Sequence, residues 1–194
     1  MRTRLGGREP PPRHERVFVF STDPNRRLPG VVILGLDPGI ASTGFGVVEA
    51  SGSRLRSVAF GVIKTTPRQP HAERLAIIHA AVAELIRDHG TTAAAVEELY
   101  VGPDRRGTLL LSQARGSALA ACGLASVDVA EYPVATIKSA VCGFGRAEKS
   151  QVARMVRALL ALEQEPRSEH EADALAAAIC HTQRARMPSA GARA

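Results

Sequence analysis

The chain has 194 residues, enough for one domain with a proper core and too few for two large ones. Apolar residues make up 45% and charged residues 23%, but Trp is absent and aromatics are only 4%, so a core must be built from Ala, Val, Leu and Ile. The net charge of +6 invites a nucleic-acid reading, yet residues 1–30 carry seven Arg against Glu9, Glu15 and Asp23, a net of +4 that leaves only +2 for the other 164. No apolar run can cross a bilayer, and MRTRLGGREPPPRHER lacks the apolar stretch of a secretory signal, which points to a cytoplasmic protein without a membrane role. Cys122, Cys142 and Cys180 lie far apart with no C-x-x-C pair and read as reduced, buried thiols rather than disulfides or a zinc site.

Residues 1–30 are rich in Arg, Pro and Gly, with Val17-Phe18-Val19-Phe20 as their one apolar cluster, and are expected to form a disordered basic extension. At Val31 the character changes. Val31 to Leu36 is a continuous apolar run, as in a strand buried on both faces, and it ends on the turn sequence Asp37-Pro38-Gly39. Thr43–Glu49 and Leu55–Lys64 read as the next strands, with Gly52 in the hairpin between them. Residues 71–89 are a helix with Leu75, Ile78, Val82, Leu85 and Ile86 inward and Gly90 just past its end.

Thr92–Leu99 is a strand, and a helix over roughly 107–124 follows with Ala114, Gly116, Ala118 and Ala121 among its leucines. After a short strand, Val127–Tyr132, Pro133 suits the first turn of a helix through ATIKSAVC. A glycine loop, GFGRAEKS, leads to an amphipathic helix over 149–162, broken by Pro166-Arg167 before a last Ala-rich helix over 168–185. Hairpin strands followed by αβ units give an α/β domain over 31–187, a mixed five-stranded sheet flanked by helices, with a mobile tail at 188–194.

Four positions share a chemical logic. Asp37 ends the first strand and Glu97 the fourth, while His170 and Asp173 stand three apart at the start of the last helix and project from one face. Carboxylates ending buried strands are costly unless compensated, and a hard divalent cation is the usual compensation. Each residue also has a plainer reading. Asp37 equally starts a turn, Glu97 and Glu98 are also solvated strand-end charges, and His170 and Asp173, like Glu169 and Glu171, also suit a helix dipole. Because strand neighbours face opposite sides, only one of Glu97 and Glu98 can point toward Asp37.

Taken together, LGLDPGIASTGFGVV, VEELY, LLLSQARG, ATIKSAVCGFGRAEKSQVARMVRALL and EADALAAAICH resemble the RuvC family of Holliday-junction resolvases, within the ribonuclease H-like superfold. They cover the chain from about Val31 to His181 in order. The opening motif is shared with actin-like sugar kinases; QARG followed by AEKSQV and ADALAAAI is far more specific. The resemblance implies four metal-binding positions at Asp37, Glu97, His170 and Asp173, with His170 where many members carry Asp. An imidazole there shifts preference from Mg²⁺ toward Mn²⁺, and His170 reads as either a ligand or a proton carrier for the attacking water.

The same resemblance implies phosphate contacts from Lys138 and Lys149, two of the chain's three lysines, and base stacking by Tyr100. Asp104 stands where members often have Asn. GFGRAEKS is not a phosphate-binding Walker loop, because Glu148 occupies the place of the glycine before Lys149.

The expected activity is symmetric hydrolysis of two opposed strands of four-way junction DNA. It would use two Mg²⁺ or Mn²⁺ ions per site in a homodimer served by the branch-migration proteins RuvA and RuvB. Two alternatives stand beside it: a ribonuclease H-like nuclease acting on another structured nucleic acid, and a non-catalytic nucleic-acid-binding relative. An actin-like kinase would need a second phosphate-binding half that this chain lacks.

Overall fold

Residues 17–20, 30–99 and 102–185 are described by a computed structural model. The strands are β1 (Val17–Phe20), β2 (Val31–Asp37), β3 (Ser42–Ser51), β4 (Arg54–Lys64), β5 (Ala93–Glu97) and β6 (Asp128–Tyr132). The helices are α1 (His71–His89), α2 (Arg105–Leu124), α3 (Val134–Cys142), α4 (Lys149–Leu160) and α5 (Glu169–Arg184). Among the described residues the strands form one sheet in the order β1-β4-β3-β2-β5-β6. β2, β3 and β4 run antiparallel, while β5 and β6 continue the sheet parallel to β2.

The mixed α/β architecture expected from the sequence is therefore present, with one strand added. β1 falls in the stretch read as a disordered extension, and it pairs antiparallel with β4 from Val17↔Val62 to Phe20↔Ala59. Alternating Val and Phe favour extended backbone, and β4 offers them a sheet edge. The remainder of that extension up to residue 29, and the tail at 188–194, lie outside the described residues. No helix among the described residues is long and apolar enough to cross a membrane.

The period-two alternation of β2 divides the core. Leu34 and Leu36 join Phe45, Val47, Ala94 and Val96 beneath α1 and α2, whereas Ile33, Val48 and Ala95 join the layer made by α3, α4 and α5. α1 matches its expected span and closes on Gly90 at φ 61°. α2 starts two residues earlier than its apolar pattern shows, because the Asp104 carboxylate caps it by accepting from the Gly107 amide at 3.0 Å. Pro133 stands one place before α3 as its N-cap. All three cysteines are free; Cys122 and Cys180 are buried and Cys142 is half-buried.

α5 lies unusually close to the sheet, and glycine permits it. A Cβ on Gly35 would fall 1.9 Å from the Ala174 carbonyl oxygen, and one on Gly44 would fall 2.1 Å from that of His170. Ala172, Ala174, Ala176, Ala177 and Ala178 keep the helix side of the contact thin, and all five are buried. Small residues on both partners bring the backbones together, which sets the first turns of α5 beside the end of β2.

Candidate active site

Asp37 is the last residue of β2. The turn after it is closed by Thr43, fully buried, whose hydroxyl donates to the Gly39 carbonyl at 2.8 Å and accepts from the Gly39 amide at 3.3 Å. Glu97 is the last residue of the neighbouring parallel strand β5, where Leu36 pairs with Val96. Alternation puts Asp37 on the side of Ile33 and Glu97 on the side of Ala95, the face covered by α5. Glu98 is exposed, and its amide continues the β5–β6 pairing by donating to the Tyr132 carbonyl at 2.9 Å.

The start of α5 is fixed by a reciprocal cap. Ser168 accepts from the Glu171 amide at 3.2 Å, while the Glu171 carboxylate accepts from the Ser168 amide at 3.2 Å and the Arg167 amide at 2.6 Å. Glu171, 4% exposed, is therefore a capping residue. Its neighbours His170 and Asp173 are set by that cap and by the glycine contact. Nδ1 of His170 lies 2.6 Å from Oδ2 of Asp37, the two sharing a hydrogen bond.

Burial and neighbouring charges both act on these acids. Burial, then the charges of Asp37 and Asp173, push Glu97 up to about 7. Burial, then the Asp37 charge, pushes Asp173 up to about 6. The hydrogen bond to Asp37 raises His170 above its ordinary value, against an opposing effect of burial. Lys138 and Lys149 both lower Glu97, so these two cations stand at the same acidic cluster. Lys149 is also ion-paired with Glu169, and that bond raises its own value.

Three carboxylates and an imidazole suit a hard divalent cation, and Glu97 and Asp173 are raised first by burial and then by their acidic neighbours, both of which a bound cation would offset. The fit is one of donor chemistry. Among the described residues no three His, Cys, Asp or Glu side chains are gathered as a ready coordination group, and His170 engages Asp37 directly. Asp37, Glu97, His170, Asp173, Lys138 and Lys149 thus lie within electrostatic reach of one acidic cluster, with His170 and Asp37 in direct contact, while Tyr100 lies outside the described residues. Sequence reasoning passed over the Ser168–Glu171 cap, which S-x-x-E spells out, and Arg115, which touches Glu97 from behind.

The family model for Crossover junction endodeoxyribonuclease RuvC matches residues 33–181. The chain belongs to the RuvC family. A RuvC of Alkalilimnicola ehrlichii is 48% identical over 155 residues, 80% of this chain and 93% of the relative, and one of Acidiphilium cryptum is 52% identical over 149 residues, 77% and 89% of the two chains. Among solved structures, Thermus thermophilus RuvC in complex with a Holliday junction substrate superposes with a TM-score of 0.77 at 39% identity, covering 80% of this chain and 95% of that one. The resemblance read from the residues thus stands, as does the ribonuclease H-like fold. The chain is an endodeoxyribonuclease of the RuvC type, a DNA-binding enzyme of recombination and repair that requires a divalent metal.

Proposed function

We propose that this enzyme resolves Holliday junctions by hydrolysing phosphodiester bonds in two opposed strands, with Asp37, Glu97, Asp173 and His170 as the groups that hold its metal ions. The carrying observation is the placement of Asp37, Glu97 and Asp173 at two strand ends and one helix start, where burial first and the neighbouring carboxylates second lift Glu97 to about 7 and Asp173 to about 6. Two Mg²⁺ or Mn²⁺ ions bound there would supply activation of water and charge neutralisation at the leaving 3′ oxygen.

The remaining work falls to the chain's own side chains. Asp37 and Glu97 orient from rigid strand ends, and Asp173 closes the group from α5. His170, held by Asp37, serves as a ligand or carries the proton lost by the attacking water. Lys138 and Lys149 steer the scissile phosphate to the acids, with Lys149 exchanging Glu169 for phosphate, and Tyr100 stacks on an unpaired base at the junction. Residues 31–187 form the nuclease unit.

Opposed cuts need two such sites related by two-fold symmetry, so the active form is a homodimer acting in the cytoplasm on junctions supplied by RuvA and RuvB. A synthetic four-way junction incubated with the protein and Mg²⁺ or Mn²⁺ tests this reading. Paired nicks at symmetric positions support it, and an intact junction in both metals contradicts it.

A further inference from the structure

Arg115 sits in the middle of α2 between the fully buried Ala114 and Ala118, and is itself only 7% exposed. Its Nη1 donates to the main-chain carbonyl of Glu97 at 2.8 Å. Its Nη2 lies 2.5 Å from Oε2 of Glu131 on β6, an ion pair whose angle does not make a hydrogen bond, so that nitrogen is otherwise unpartnered. The Glu131 side chain is 49% exposed.

A guanidinium in an Ala-lined helix contact is costly to bury, and an apolar residue there would fill the space without that cost. Its hydrogen bond is made to the backbone of Glu97, one of the proposed metal-binding residues. α2 packs on the sheet face opposite α5, so Arg115 reaches the end of β5 from behind the acidic cluster. There it occupies the last carbonyl of the strand, while the Glu98 amide is taken by Tyr132. Both backbone groups where the chain leaves β5 are thereby tied down, and Glu131 restrains the guanidinium from the outer strand.

We infer that Arg115 is a positioning residue for Glu97: it fixes the end of β5 so that the Glu97 carboxylate faces Asp37 and Asp173, without itself touching DNA. The inference rests on the metal-dependent nuclease reading above. Removal of such support for a metal-site carboxylate costs about 10–100-fold in activity.

The test compares full-length wild type, Arg115→Met, Arg115→Lys and Glu131→Gln on a synthetic four-way junction with Mn²⁺. Junction affinity, thermal unfolding and the backbone amide NMR signals of residues 97 and 98 are measured alongside. If wild type does not cleave, the function reading itself fails. If it does, Arg115→Met is expected to lower kcat by about 10–100-fold with KM and junction affinity nearly unchanged. Its Glu98 amide signal should shift, and Arg115→Lys should recover part of the rate. A folded Arg115→Met protein with wild-type kcat and only a lower Tm would overturn the inference, leaving Arg115 a structural residue. Should Arg115→Met fail to fold, Arg115→Lys and Glu131→Gln carry the test: reduced kcat at unchanged KM supports it, and wild-type kcat in both overturns it.

Discussion

His170 on α5 and Asp37 at the end of β2 are joined by a 2.6 Å hydrogen bond between Nδ1 and Oδ2. The contact crosses 133 residues of sequence and ties the first turn of the last helix to the first core strand. The bond pairs the imidazole with one carboxylate of the cluster, and in the metal site proposed above it brings a nitrogen among oxygen donors.

Replacing it with oxygen should change metal preference. His170→Asp is expected to retain junction cleavage and to raise the Mg²⁺ rate relative to the Mn²⁺ rate, because carboxylate oxygen suits the harder ion. Cleavage rates in each metal decide this, and a protein inactive in both metals would contradict it.

The acidic cluster should also make metal-free stability depend on pH. Glu97 and Asp173 are held at about 7 and about 6, so above the ordinary carboxylate range the fold retains protons that the unfolded chain has released. Stability therefore falls as pH rises through that window. His170, also raised, adds to the same trend: its stabilisation is complete below its ordinary value and is lost as pH rises through the folded one. His89 and His181, lowered by burial, act in the opposite direction, so with EDTA present it is the cluster's contribution to Tm that is expected to drop between about pH 5 and about pH 8. Mn²⁺ should shrink the drop, and Asp173→Asn should flatten it. A metal-free pH profile of Tm that Asp173→Asn leaves unchanged contradicts the assignment.

The glycine contact beneath α5 gives a prediction of position and sign. Gly35→Ala places a Cβ 1.9 Å from the Ala174 carbonyl oxygen, where only backbone can yield. A cost of about 3 kcal/mol is expected, a Tm loss of roughly 6–12 °C for a domain of this size, together with reduced cleavage as His170 and Asp173 move. Gly116→Ala is the control, since nothing lies within 4 Å of its Cβ position and helix propensity favours alanine. Calorimetry on the two variants should give opposite or clearly unequal shifts; equal losses would contradict the close-approach argument.

The cap at Ser168 is the milder probe of the same helix. Ser168→Ala should cost about 1 kcal/mol, or roughly 2–4 °C in Tm, and should slow cleavage less than Gly35→Ala does. A Tm equal to wild type would show that the reciprocal bonds with Glu171 contribute nothing.

Much of this arrangement was legible in the residues. The apolar run through Leu36 and the turn at Asp37 place the first acid, and strand alternation predicts that only one of Glu97 and Glu98 faces it; the exposed Glu98 agrees. Helix spacing puts His170 and Asp173 on one face. Other features depend on partners distant in sequence. That Gly35 and Gly44 admit α5 is a property of two surfaces meeting, invisible in either segment alone. The four residues of β1 stand alone in a polar, Pro-rich stretch of sequence, and their strand exists only through backbone pairing with β4, some forty residues away. Arg115 was one letter of a motif, and its bond to the Glu97 carbonyl exists only once α2 is folded against β5.

The central claim, that Asp37 anchors a metal-dependent site cutting four-way junctions, is tested most directly by Asp37→Asn. The substitution preserves shape while removing the charge, and the variant should bind a synthetic four-way junction with near wild-type affinity. Wild type should release paired symmetric nicks in Mg²⁺ or Mn²⁺, and the variant should leave the junction intact in both, with cleavage reduced by at least about 100-fold. Cleavage by Asp37→Asn at the wild-type rate would contradict the account.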